Sequence, residues 1–137
     1  MYAGLHLDMR FALLDGVLLA ASFALSSIPD VDSWNGPLIT AFFNVMHVPL
    51  FGAVAFCSYK ALSKGRELSL PAMVLAFAAA VAYAVFDEWH QSFVAGRNAS
   101  VSDVIVDVIG AALMLLVIGG WSLLRARRSR TPAESQS

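Results

Sequence analysis

Two short runs in this sequence carry most of the groups that could do chemistry. Asp87-Glu88-Trp89-His90-Gln91 sets two carboxylates, an imidazole and an amide within one helical turn or so, and Asp103 and Asp107 follow, with Arg97 between the runs. On a helix Asp87 and Gln91 share a face at i and i+4, as do Asp103 and Asp107, and Gly110 continues the second stripe by one turn. Asp87, Glu88 and the separate His47 are the candidate catalytic groups: a carboxylate as general base, the imidazole as proton carrier or ligand. Gln91, Arg97, Asp103, Asp107 and His90 are the candidate binding residues, the planar fork of Arg97 suiting a phosphate or carboxylate. Asp87, Glu88, Asp103 and Asp107 are also candidate metal ligands. Carboxylate oxygens suit Mg, Ca or Mn, and an added imidazole suits Zn. The sequence requires no cofactor, although a divalent cation fits this set. It holds no Ser–His pairing, Gly-rich phosphate loop or H-E-x-x-H zinc motif.

The elements that must position these groups follow from composition. The chain has 137 residues, of which 58% are hydrophobic and only 14% charged, with a mean hydropathy of +0.69. That is about half the charge of a soluble domain. The net charge of -1 excludes a chain-wide basic surface for nucleic acid, and the single cysteine excludes an internal disulfide framework or a Cys-based metal cluster. Four apolar stretches, at about 11–28, 38–62, 70–91 and 103–124, are each long enough to cross a bilayer as a helix, the form in which a backbone in lipid satisfies itself. The expected fold is therefore an all-α membrane protein, a four-transmembrane-helix bundle. Residues 1–10 and the basic, disordered tail 125–137 flank the 11–124 domain.

Orientation follows from the cations. Arg10, Lys60, Lys64, Arg66, Arg125, Arg127, Arg128 and Arg130 all fall on one side, which makes that side and both termini cytoplasmic. Arg97 is the exception. Reading residues 1–27 as a cleaved signal peptide is disfavoured by Asp15 inside the run, and by the exchange of sides that cleavage would force on Lys60, Lys64 and Arg66. Trp34 and Trp89 are expected at the outer interface and Trp121 towards the inner one. Ala72, Ala76, Ala80 and Ala84 recur every four residues, a face for close helix approach, and Gly110 with Ala111 could serve the fourth helix likewise. Such packing would carry His47 towards the carboxylates. Asp15 is expected to reach water or a neighbouring base, and Cys57 to be a buried small apolar residue.

Ser26-Ser27, the lone His47 inside the second span, Tyr83-x-x-x-Asp87-Glu88-x-x-Gln91, Arg97, Asp103 and Gly110 together resemble the VanZ-like membrane protein family, over about residues 20–115. Two features depart from that pattern. Phe43 and Asn44 stand where an acidic–basic pair is common, and Asp107 stands where Asn is usual. The resemblance implies a multi-pass protein of the inner (cytoplasmic) membrane with an envelope-related role, linked through the family's founding member to tolerance of the glycopeptide teicoplanin. Partners would be membrane lipids, a lipid-linked cell-wall precursor or a glycopeptide, not nucleic acid. Two functions follow as expectations: an outer-leaflet binding site that modulates antibiotic tolerance, or a membrane-embedded enzyme acting on a lipid or lipid-linked phosphate. A proton or ion relay is weakened by the scarcity of charge in the inner half, where Asp15 stands alone above the terminal bases.

Overall fold

The computed structural model describes residues 7–29, 37–64 and 68–129, without the side chains of residues 37–44. Expectations about Asp30, Asp32, Trp34, Arg66, Arg130, the tail beyond it and the side chains of Phe43 and Asn44 lie outside those residues. The described chain is all-helical: α1 Met9–Ser26, α2 Pro37–Ser63, α3 Leu70–Gln91 and α4 Val101–Arg128. All four helices are long and apolar enough to span a membrane.

Local chemistry sets the helix ends. The side chain of Asp8 accepts the backbone N–H of Arg10 at 3.1 Å and so caps α1. Pro71 sits in the first turn of α3, where an amide hydrogen has no intrahelical partner to lose. Ser100 caps α4 by accepting the N–H of Ser102. Helix α4 continues through Arg128, past residue 124, where the sequence places the start of the tail. Arginine and alanine are good helix formers, and cations are favoured at a helix C-terminus.

The burial pattern inverts that of a soluble bundle. Asp87, Glu88, Gln91 and Asp107 are buried, whereas Leu13, Val17, Leu75, Val85, Leu116 and Val117 are exposed. Lipid accepts the second set and penalises the first, so polar groups turn inwards. Trp89 and Trp121 are exposed near opposite ends of the bundle. The core joins Val54, Ala55 and Tyr59 of α2 with Ala111 and Leu115 of α4 and the alanine face of α3. Ala72, Ala76, Ala80 and Ala84 are all buried, as the four-residue repeat predicts.

Helix α2 makes its most extensive packing against α4, and α1 lies chiefly on α2 with little contact to α3. The α2–α4 crossing is backbone on backbone. A Cβ at Gly110 would stand 2.9 Å from Cα of Val48 and 3.0 Å from its carbonyl carbon, and a Cβ at Gly52 would meet the carbonyl oxygen of Gly110 at 3.5 Å. Asp107 lies one turn before Gly110 and His47 one residue before Val48, so this crossing decides how far apart those two side chains are.

At the opposite end, where α1 begins and α2 finishes, the N–H of Asp8 donates to the carbonyl of Ala61 at 3.0 Å. Further along, Ser58 donates to Oδ2 of Asp15 at 2.6 Å. Among the described residues Asp15 is thus met by a neighbouring hydroxyl rather than by a base, because α2 lies against it. Cys57 is buried, as expected of a small apolar side chain in this helix.

Candidate functional site

The end of the bundle formed by the last turns of α1 and α3 and the first turns of α4 carries Asp87, Glu88, His90, Gln91, Arg97, Asp103 and Asp107, and the packing of α2 adds His47. They form three linked groupings rather than one cage.

The first joins α1 to α3. Asp87, only 1% exposed, accepts Ser26 Oγ–H on Oδ1 at 2.8 Å and Gln91 Nε2–H on Oδ2 at 3.0 Å. The Gln91 bond is the i, i+4 pair that helical spacing predicts. Ser26, a weak part of the sequence pattern, is the group that reaches across. Arg97 joins the same corner: its Nε donates to the carbonyl of Ser26 at 3.4 Å and its Nη2 to that of Leu25 at 3.0 Å. These are end carbonyls of α1, which lack intrahelical donors and carry the negative end of the helix dipole. The guanidinium expected to hold an anion thus clasps a helix terminus. One turn deeper, Tyr83 donates to the carbonyl of Leu19 at 2.7 Å.

His90 belongs to this corner as well. Its Nε2 lies 2.9 Å from Oγ of Ser27 and its ring 4.4 Å from that of Phe23. The Ser27 hydroxyl donates to the Phe23 carbonyl at 2.6 Å, so its one proton is committed and Nε2–H of His90 is the donor to Oγ. The sequence shows no Ser–His pairing, yet the fold makes this one between residues at the end of α1 and on α3 that are far apart in the chain; it lacks the proton arrangement of an activated nucleophile. It fixes α1 against α3.

The second grouping ties α3 to α4. Oε2 of Glu88 accepts the backbone N–H of Ser100 at 2.7 Å, at the N-terminus of α4, where a carboxylate is favoured by ~0.3–1 kcal/mol. Asp103 lies in the first turn of that helix. Nothing in side-chain spacing signals the Glu88–Ser100 bond, because its donor is main chain.

The third lies at the α2–α4 crossing. His47 Nδ1 stands 2.9 Å from Oδ1 of Asp107. The Asp107 side chain is 1% exposed and that of His47 27%, and the imidazole lies flat along the buried Phe51 with ring centres 6.3 Å apart. Oδ2 of Asp107 is buried with no hydrogen-bond partner among the described residues.

As a metal site the set falls short. Among the described residues no group of three or more His, Cys, Asp or Glu side chains is placed to hold an ion. Asp87, Glu88 and Asp107 are drawn apart by their separate partners on α1, α4 and α2.

A family model described as VanZ/LLP1 matches residues 8–124. No curated protein and no solved structure matches the chain.

Proposed function

The chain belongs to the VanZ/LLP1 family, and from that premise we propose that its acidic end binds the polar part of an envelope lipid, a lipid-linked wall precursor or a glycopeptide, and so modulates tolerance of teicoplanin-type antibiotics. One observation carries this reading. Buried ionisable groups are costly at membrane depth, yet Asp87, Glu88 and Asp107, supplied by α3 and α4, are concentrated at one end of the bundle and partnered by α1, α4 and α2. In this proposal the protein lies in the cytoplasmic membrane with its basic side inward, and the acidic end meets the outer leaflet.

The orientation can be tested on a Cys57→Ala background. A cysteine at Ala95 is expected to react with an impermeant maleimide in intact cells, and one at Ser129 only after lysis; the reverse pattern inverts the bundle. For the site, Glu88→Gln, Arg97→Ala and Asp103→Asn should each weaken binding of a lipid-linked precursor or glycopeptide about tenfold, equivalent to ~1.4 kcal/mol, and lower tolerance accordingly. Folded variants that keep full tolerance and binding would remove the acidic end from the function.

The second reading, an enzyme acting on a lipid or lipid-linked phosphate, is favoured by the way Asp107 holds one nitrogen of a partly open histidine. Turnover of a lipid-linked precursor by purified protein separates it from the first.

A further inference from the structure

We propose that Asp107 and His47 form a proton-accepting dyad, in which buried Asp107 keeps the proton on Nδ1 of His47 and leaves Nε2 as the atom that takes a proton from a hydroxyl group. The inference deepens the enzyme reading, on which its substrate side rests.

The geometry assigns the roles. A carboxylate is acceptor-only, so at 2.9 Å the shared hydrogen belongs to Nδ1 of His47 and the lone pair to Nε2. Orientation is fixed from three directions: Asp107 is locked behind the imidazole at 1% exposure, Phe51 lies flat against the ring, and backbone contact at Gly110 holds α2 and α4 at one separation. With 27% of its side chain exposed, His47 is the open member of the pair. Asp107 also keeps a second oxygen, Oδ2, buried without a partner among the described residues. A carboxylate left half-satisfied in a low-dielectric site favours a positive charge beside it. A proton arriving on Nε2 supplies one, as imidazolium against carboxylate. Asp107 is then a positioning residue and His47 the group that meets the substrate.

In the step itself the O–H bond breaks, its hydrogen bonds to the Nε2 lone pair, and the oxygen keeps the electron pair as a nucleophile. The proton later returns from Nε2 to the departing oxygen. The hydroxyl belongs to water or to a lipid head group, and the site's acidity places no anion requirement on it.

The test reads the imidazole directly, so it stays separate from whether any precursor turns over. The full chain with 15N-labelled histidine, in phosphatidylcholine vesicles, is expected to show His47 as the Nδ1–H tautomer, assigned by its loss in His47→Gln. Asp107→Asn, whose amide can donate to Nδ1, should shift His47 to the Nε2–H form. Diethyl pyrocarbonate reports reactivity: Nε2 displaces ethyl carbonate, which takes up the Nδ1 proton and falls to ethanol and carbon dioxide. Carbethoxylation of His47 should be on the order of tenfold slower in Asp107→Asn, with His90 unchanged as the folding control. Vesicles containing phosphatidylglycerol or, at matched charge, phosphatidylserine distinguish the hydroxyl's source. Protection by the first alone assigns it to a head group and equal rates assign it to water, and either supports the dyad. An Nε2–H tautomer in the unmodified protein, or equal reactivity of His47 with and without the Asp107 carboxylate, overturns it.

Discussion

Replacing Gly110 by alanine is expected to destabilise the bundle by about 3 kcal/mol, the upper end for forcing volume into a packed interior. At this chain length that is a fall in Tm of about 10 °C, measured by thermal unfolding in nanodiscs. The reason is what the new methyl group meets. Its neighbours at 2.9 and 3.0 Å are main-chain atoms of Val48, and a main chain inside a helix has no alternative rotamer to adopt. Relief comes only by separating α2 from α4, the largest interface in the bundle. That movement lengthens the His47–Asp107 bond, so the variant should also lose the Nδ1–H tautomer of His47. Gly16 and Gly120 provide the contrast. A Cβ at either meets nothing within 4 Å, so alanine there should be neutral or stabilise the helix by ~0.5–1 kcal/mol. Equal effects at all three positions would mean that the crossing is not as close as described.

Asp87→Leu is the second variant with a large expected effect. It removes the acceptor of two hydrogen bonds and leaves the Gln91 amide as a buried donor, while the Ser26 hydroxyl turns to the Phe23 carbonyl 3.0 Å away. Losing the Gln91 bond outright and exchanging the Ser26 bond for one to a carbonyl should cost roughly 2 kcal/mol. The effect is directional because α1 has little other contact with α3, so the outer end of α1 should loosen before the rest of the bundle unfolds. A cysteine placed at the buried Ser22 should then become reactive in the Asp87→Leu background while the α2–α4 core remains folded. Asp87→Asn keeps an oxygen for Ser26 and should cost about 1 kcal/mol. A Ser22 probe that stays shielded in Asp87→Leu would show that Arg97, Tyr83, His90 and the packing on α2 suffice to hold α1 in place.

Gly110, Asp87, Gln91 and Ser26 stand out in the sequence, whereas Val48, which Gly110 meets, does not. Spacing along one helix was enough to pair Asp87 with Gln91 and to set Asp103, Asp107 and Gly110 on one stripe. It also placed the alanine face of α3 inside. Spacing was silent about Arg97, whose planar fork suits an anion but which here meets the end carbonyls of α1, because an unsatisfied helix terminus competes for any nearby donor. It was equally silent about Glu88, whose partner is a main-chain N–H. Three of the four carboxylates read as one candidate metal set, Asp87, Glu88 and Asp107, are drawn apart for the same reason: partners on other helices claim them separately.

Composition and periodicity by themselves determined that the chain is a set of long apolar helices with most of its carboxylates gathered near one end and most of its cations near the other. Those properties add up residue by residue along a chain, and lipid enforces them on each helix independently. Which carboxylate meets which donor was decided only in the folded bundle. Helix phase and interaxial distance are set where Gly110 lies against Val48 and where the alanines of α3 pack, and a hydrogen bond is made or lost within a few tenths of an ångström. His47 was an isolated polar residue in an apolar run until that crossing put Asp107 behind it.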